Sequence, residues 1–309
     1  MNTYIIDAIR TPIGNFGGTL KDIRTDDLAA IPIRELVSRN KIDPTKINDV
    51  ILGCANQAGE DNRNIARMAL LLAGIPFSVP GETVNRLCAS GMSAIINAHR
   101  AIKAGDGDLF ISGGIENMTR GPWVISKVSK AFGRDAQMHD SSFGWRFINP
   151  KMKEIYGVDG MGTTAENLAE LYNISREDQD KFAFNSQQKA YKAQKSGRFS
   201  EEIIPISIPQ KKKDPILFEH DEFIKGNTSI EILSKLRTAF KKDGGTVTAG
   251  NASGLNDGAA AMLLASENGV TENNLNPIAK IVSSAVIGVE PRIMGIGPVE
   301  ASNLALKKA

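Results

Sequence analysis

The sequence is poor in cysteine, histidine, aromatic residues and net charge. Two cysteines in 309 residues, Cys54 and Cys88, argue against a disulfide framework as what holds the chain together. Three histidines, His99, His139 and His220, and no Cys/His cluster at ligand spacing argue against a structural zinc site. A formal net charge of +2 gives no electrostatic case for nucleic acid or a membrane surface. The longest apolar run, Met68-Ala-Leu-Leu-Leu-Ala73, is far too short to span a bilayer. The opening Met1-Asn-Thr-Tyr-Ile-Ile-Asp7 has no basic leader followed by an apolar core, so a reducing cytoplasm is the default location. What remains, 41% hydrophobic and 23% charged, suits a soluble globular protein of about two domains.

In chain order, strand patterns alternate with helical ones. Tyr4–Ala8 reads as a strand and is followed by a Gly-rich turn through Gly14, Gly17 and Gly18. A helix is expected next, with Thr25 as N-cap and Leu28, Ile31 and Leu36 at helical spacing. Asp49–Gly53 reads as a strand, Asn64 to Ala73 as a helix closed by Gly74, Thr83 to Arg86 as a strand, Ala94–Ala104 as a helix and Asp108–Gly113 as a strand. This alternation predicts an α/β layered sheet. From Arg120 the chain becomes irregular, aromatic and basic. Helices are expected at Thr163–Leu171 and about Glu177–Ser196, the second capped by Ser175, with strand-like pieces at Ile203–Ile208 and Ile216–Phe218. The triplet Lys211-Lys-Lys213 reads as a solvated turn. The α/β pattern returns at Thr246–Ala265, followed by a strand-like Ile278–Val289 and a helix from Pro298 through Leu306.

Two stretches carry chemistry. In Thr83-Val-Asn-Arg-Leu-Cys88-Ala-Ser-Gly-Met-Ser93, an extended run turns into a helix at a cysteine. Unpaired N–H groups and the helix dipole favour negative charge there, so Cys88 is expected to have a lowered pKa and to be reactive. The competing reading is a buried small hydrophobe. The second stretch, Thr246-Val-Thr-Ala-Gly-Asn-Ala-Ser-Gly-Leu-Asn-Asp-Gly-Ala-Ala260, is dense in residues small enough to let a backbone approach a ligand or another backbone closely.

Together with Gly113-Gly-Ile-Glu-Asn-Met-Thr119, these stretches resemble the thiolases, which carry acyl groups on an active-site cysteine and exchange them with coenzyme A. The resemblance runs over nearly the whole chain. It implies a thiolase fold: layered βαβ domains related by a pseudo-twofold, with an inserted loop domain that binds coenzyme A. The expected boundaries are residues 1–120 for the first part of the N-terminal core domain, 121–245 for the insertion, 246–269 for the return to the core, and 270–309 for the start of the C-terminal domain. Cys88 then matches the nucleophile. Met161, Phe240, Ala249 and Ser253 match positions around the acyl group and the pantetheine, and Lys225 stands where an arginine commonly meets the nucleotide, keeping the charge and losing the fork geometry. Taken alone, Met161 and Phe240 could be plain core and Lys225 plain surface. Gly160 replaces a histidine that precedes the methionine in many members.

The family's Gly-His-Pro, Cys-x-Gly-x-Gly and Asn-Glu-Ala-Phe stretches do not occur in these residues. The chain therefore reads as truncated, with its second core domain incomplete and little turnover of its own. His99 reads as a polar helix-face residue and Cys54 as a strand-end core thiol. Within the family, Gly53–Asn64 and Gly144–Pro150 resemble the members that cleave 3-oxoadipyl-CoA, with Arg134 and Arg146 as candidates for its far carboxylate. Acetoacetyl-CoA is the alternative substrate, and a ketoacyl synthase or an inactive fragment are the alternative classes. The resemblance implies coenzyme A as a substrate, no tightly bound cofactor, and a homodimer or homotetramer in which Trp123 and Trp145 are candidates for contacts.

Overall fold

A computed structural model describes residues 1–56 and 59–309. Gln57 and Ala58, within the Gly53–Asn64 stretch, lie outside the described residues. In chain order the elements are β1 (Thr3–Arg10), β2 (Gly14–Asn15), α1 (Thr25–Arg39), β3 (Asp49–Gly53), α2 (Ile65–Leu72), β4 (Gly81–Val84), α3 (Ser90–Ala104) and β5 (Leu109–Asn117). They continue with β6 (Trp123–Ile125), β7 (Met138–Asp140), α4 (Pro150–Tyr156), α5 (Met161–Leu171), α6 (Arg176–Lys195), β8 (Ile206–Gln210) and β9 (Lys213–Phe218). The last are α7 (Ile230–Ser234), β10 (Asn256–Ala265), α8 (Glu267–Glu272), β11 (Ala279–Ile281) and α9 (Gly297–Lys308).

The chain divides into two compact units. The first comprises Met1–Pro122, Phe199–Phe223 and Leu255–Val282. Its sheet runs β11-β1-β10-β5-β3-β4, with β2 paired to β10. β3 is parallel to β4 and to β5, as βαβ connections require, while β10 returns antiparallel between β1 and β5. Side chains alternate between the two faces of each strand. Val50, Leu52, Leu109 and Ile111 join Leu28, Ile33 and Leu36 of α1 and Ile65 and Leu70 of α2 in one cluster. Ile51, Phe110 and Leu264 meet Ala94, Ala98 and Ile102 of α3 in another. The β8–β9 hairpin belongs to this unit because Ile206, Ile208 and Phe218 are buried in the first cluster.

Several ends differ from the sequence pattern for local reasons. α1 starts at Thr25, and Arg24 is its N-cap without a side-chain cap bond. The Glu60 carboxylate takes that place, accepting from the Thr25 N–H at 2.9 Å. Asn64 caps α2 by accepting from Arg67 N and also donates to the Gly81 carbonyl at 2.9 Å, which fastens β4 to the helix start. His99 faces inward rather than lying on a polar face: it is buried, and its Nδ1 lies 2.9 Å from the Thr3 hydroxyl on β1. Of the strand-like Ile278–Val289, only Ala279–Ile281 pairs, against β1.

The second unit comprises Trp123–Arg198, Ile224–Gly254 and Ser283–Ala309. It holds α4 to α7, α9 and the β6–β7 pair. Ser175 caps α6 by accepting from Asp178 N, as its position in the sequence predicts.

Candidate functional site

The residues between β4 and α3 form a strained turn. Leu87 has φ 49°, in the left-handed region that bulky side chains avoid. Such a conformation costs about 1–3 kcal/mol and persists only where its surroundings impose it. Here both of its peptide groups are held. The Leu87 N–H donates to Asn85 Oδ1 at 2.9 Å. Its carbonyl accepts from the Ser90 hydroxyl at 2.6 Å and from the Ser90 N–H at 3.0 Å. Ser90 Oγ in turn accepts from the Arg86 N–H at 2.8 Å. Ser90 is 4% exposed, so the serine of the Cys-Ala-Ser-Gly stretch is an internal brace. Cys88, next after the strained residue, is exposed, in no disulfide, and immediately ahead of Ala89, the N-cap of α3. A strained strand-to-helix turn that lifts one nucleophile above a sheet is a recurrent catalytic arrangement. The N–H groups of Ala89 and Ser90 are engaged within the turn, by the Arg86 carbonyl at 3.1 Å and the Leu87 carbonyl at 3.0 Å.

Glycines let α3 approach the sheet this closely. A Cβ on Gly53 would lie 2.2 Å from the Ser90 carbonyl carbon and 2.3 Å from Gly91 N. One on Gly114 would lie 3.0 Å from Gly53 O and 3.3 Å from Gly91 Cα, and one on Gly113 would lie 2.0 Å from Ala260 O. Gly53, Gly113 and Gly114 therefore stand where backbones approach closely, whereas a Cβ on Gly91 would make only ordinary contacts, the nearest with Gly113 O at 3.6 Å.

Cys54 follows β3 and is 1% exposed, with its Sγ 3.5 Å from the Asn56 carbonyl oxygen. Burial raises its pKa far above the ordinary thiol range, and the charges of Glu116 and Asp61 add to the effect. Glu116, on β5, accepts from the Ala55 N–H at 2.8 Å and the Asn56 N–H at 3.2 Å. Burial pushes its carboxyl pKa up, partly offset by those two donors. Burial, then the charges of Lys103 and Arg100, lower the pKa of His99. His139 packs edge-on against Phe147 with ring centroids 5.1 Å apart, and His220 is exposed beside Glu219.

The residues matched to ligand binding lie in the second unit. Met161 opens α5 and is 60% exposed. Phe240, 51% exposed, has its ring over Gly162, where an added Cβ would come within 2.1 Å of ring carbon Cδ2. Phe240 thus packs on the residue that follows Met161. Ala249 and Ser253 are exposed on a loop tied down from beneath. Glu166 of α5, itself buried, accepts from the N–H groups of Thr246, at 2.9 Å, and Val247, at 2.8 Å. Asn251 accepts from Thr248 N at 2.8 Å and donates to Asp180 at 2.9 Å. Lys225 presents an exposed side chain, with its backbone N–H on Gln187 at 2.7 Å. Arg134 is exposed, and Arg146 reaches the Ser141 carbonyl at 3.4 Å.

The sequence pattern missed Asn85, Ser90, Glu116, Glu166 and Asn251. A signal existed for Glu116: a lone acid in the apolar β5 between Ile115 and Asn117 has to find donors.

Among the described residues no group of His, Cys, Asp and Glu is arranged to hold a metal ion, and no helix is long and apolar enough to cross a membrane. Residues 3–268 match the family model for the thiolase N-terminal domain. The chain is 56% identical over 307 residues to the 3-oxoadipyl-CoA/3-oxo-5,6-dehydrosuberyl-CoA thiolase of Escherichia coli K12, covering 99% of this chain and 76% of that one. It is 53% identical over 309 residues to a beta-ketoadipyl-CoA thiolase of Acinetobacter baylyi, covering 100% and 77%. The structure superimposes on Bacillus anthracis acetyl-CoA acetyltransferase with a TM-score of 0.90 at 41% identity, covering 99% of this chain and 76% of that one. It superimposes on human mitochondrial 3-ketoacyl-CoA thiolase in complex with CoA with a TM-score of 0.89 at 39% identity, covering 99% and 75%.

Proposed function

From the premise that this chain belongs to the thiolase family, we propose that it cleaves 3-oxoadipyl-CoA with coenzyme A through an acyl-enzyme on Cys88. The observation that carries this reading is the strained turn that presents an exposed Cys88 at the start of α3.

The Cys88 thiolate attacks the ketone carbon of the substrate. The bond between the ketone carbon and the α-carbon breaks. Its electron pair leaves with the acetyl-CoA half, which takes a proton from an acid, while the shortened acyl group stays as a thioester on Sγ. The coenzyme A thiol then gives its proton to the conjugate base of that acid and attacks the thioester, which releases the shortened acyl-CoA and regenerates the thiolate. Covalent catalysis divides one difficult displacement into two easier ones. The Cys88 N–H serves as an oxyanion donor in both steps. Met161 and Phe240 flank the acyl group and pantetheine, Ala249 and Ser253 give the pantetheine room, and Lys225 meets the nucleotide phosphates.

The substrate assignment is supported by the names and 53–56% identity of the relatives. Similarity to an acetyl-CoA acetyltransferase supports acetoacetyl-CoA as the second reading. β4 lies at the edge of its sheet, which supports assembly of copies through that edge; a light-scattering mass of one chain at micromolar concentration refutes that part. No tightly bound cofactor enters the proposal.

The proton-transfer groups of the family lie in the Gly-His-Pro and Cys-x-Gly-x-Gly stretches, and each such group is worth about 10²–10⁴-fold. The test is release of acetyl-CoA from 3-oxoadipyl-CoA and acetoacetyl-CoA by three polypeptides. The 309 residues alone are expected to show almost no turnover. A polypeptide that also carries the three family stretches is expected to turn over, with the 3-oxoadipyl ester preferred. Cys88→Ala in that polypeptide is expected to abolish it. Turnover by Cys88→Ala removes Cys88 as the nucleophile, and preference for acetoacetyl-CoA selects the second reading.

A further inference from the structure

Asn85 is the first residue after β4, and its side-chain amide joins two parts of the first unit. Its Oδ1 accepts from the N–H of Leu87, the left-handed residue ahead of Cys88, at 2.9 Å. Its Nδ2 donates to the carbonyl of Ala55 at 3.0 Å. The Ala55 N–H donates to Glu116 at 2.8 Å, and the next N–H, of Asn56, donates to the other carboxylate oxygen at 3.2 Å. A continuous chain of hydrogen bonds therefore runs from the β5 carboxylate, through a backbone amide and a side-chain amide, to the strained peptide before Cys88. The two ends of the Asn85 amide fit only one way round. Exchanging Oδ1 and Nδ2 would set a donor against the Leu87 N–H and an acceptor against the Ala55 carbonyl.

We infer that Asn85 is a positioning residue for Cys88: it holds Leu87 in the left-handed conformation and is itself held in register by Glu116 through Ala55. This deepens the reading of Cys88 as nucleophile and rests on it. Ser90 holds the opposite side of Leu87, but it belongs to α3 and moves with the helix. Asn85 directly follows β4 and is bonded to Ala55 beyond β3, so the pair ties the turn to the strand ends on one side and to α3 on the other. Without Asn85 the Leu87 N–H loses its acceptor, and the left-handed residue relaxes toward the ordinary regions of backbone space. That rotation carries Cys88 away from the helix N-terminus, where negative charge on sulfur is favoured.

The test uses the full chain with Cys54→Ala, so that Cys88 is the one remaining thiol. The second-order rate of alkylation by iodoacetamide is measured at neutral pH. Asn85→Ala is expected to slow alkylation at neutral pH about tenfold, the scale of one lost hydrogen bond. Asn85→Asp keeps the acceptor for Leu87 and loses the donor to Ala55, so its rate falls between the two. Leu87→Gly removes the need for the clamp, because glycine takes positive φ without penalty. In that background Asn85→Ala is expected to cost less than about twofold, a coupling that a merely structural loss would not produce. An unchanged alkylation rate in Asn85→Ala overturns the proposal, as does an equal slowing with and without Leu87→Gly. If Asn85→Ala does not fold, Asn85→Asp decides: a rate equal to the parent's overturns the Glu116 anchor. The outcome stands apart from the nucleophile assignment, which rests on turnover by Cys88→Ala.

Discussion

Cys54 and Cys88 come after neighbouring parallel strands, β3 and β4, whose registers run side by side from Val50 opposite Gly81 to Gly53 opposite Val84. One is buried and the other exposed. The strands do not decide this; the path of the chain beyond each strand does. After β3 the ladder continues, with the Cys54 N–H donating to the Val84 carbonyl at 3.1 Å, and the next two N–H groups turn inward to Glu116. After β4 the chain leaves the sheet through left-handed Leu87 and enters a helix. The same side chain becomes inert packing in one place and an accessible thiol in the other.

The largest effect expected from this contrast is in native-state alkylation. Cys88 reacts from the folded chain, whereas Cys54 reacts only after an opening that exposes it. An opening free energy of about 4 kcal/mol or more gives about 10³-fold preference for Cys88. Peptide mapping after brief iodoacetamide treatment measures the ratio. Equal labelling under native conditions breaks the comparison at its root.

A smaller effect comes from the residue that touches both regions. Gly53 directly precedes Cys54, and its Cα faces the Ser90–Gly91 peptide that begins α3. Gly53→Ala places a methyl group where backbone stands, so α3 has to move off the sheet. The cost is about 1–3 kcal/mol, the usual range for overpacking. It is expected as a lower urea midpoint, accompanied by faster labelling of Cys54 and altered labelling of Cys88. A stability equal to that of the parent would mean that the close approach of α3 to β3 does not exist in solution.

Much of this region was legible beforehand. The alternation of strands and helices, the Ser175 cap and the cysteine at a helix start all derive from periodicity and capping chemistry, whereas Asn64, which the pattern makes the first residue of its helix, is the cap. The strained turn was not, because no glycine or asparagine marks it: position 87 is a leucine, and only the bonds from Asn85 and Ser90 hold it there. The antiparallel return of β10 between β1 and β5 was not legible either, since it joins residues more than a hundred positions apart. Burial of His99 was missed because its partner, Thr3, lies 96 positions away. The second unit was read mainly through single matched residues. The loop that presents Ala249 and Ser253 is instead shaped by Glu166 and Asn251, which no local pattern flags.

The smallest effect sharpens the comparison from the Cys54 side and is a matter of alkali. In the unfolded chain the Cys54 thiol has its ordinary pKa, near 9.0; in the folded chain burial raises it well above that. Below the ordinary value both states keep the proton, and the folded state carries no penalty. As pH rises past it, the unfolded chain releases the proton and the folded chain does not, so unfolding becomes more favourable. Cys54 therefore contributes stability that is fully present below about pH 9 and is lost as pH climbs toward the folded pKa, by up to about 1.4 kcal/mol per pH unit. Cys54→Ala removes this term. It also loses the packing of one buried sulfur, a cost of about 1 kcal/mol at neutral pH. Urea unfolding of both proteins from pH 7 to pH 10.5 is expected to show the parent more stable at pH 7, the gap narrowing above pH 9, and the order reversing at the alkaline end. Lysines and tyrosines titrate in the same range but are shared by both proteins, so the difference isolates the thiol. Curves that stay parallel throughout would mean that Cys54 is hydrated in the folded state, and the contrast with Cys88 would then reduce to position along the chain.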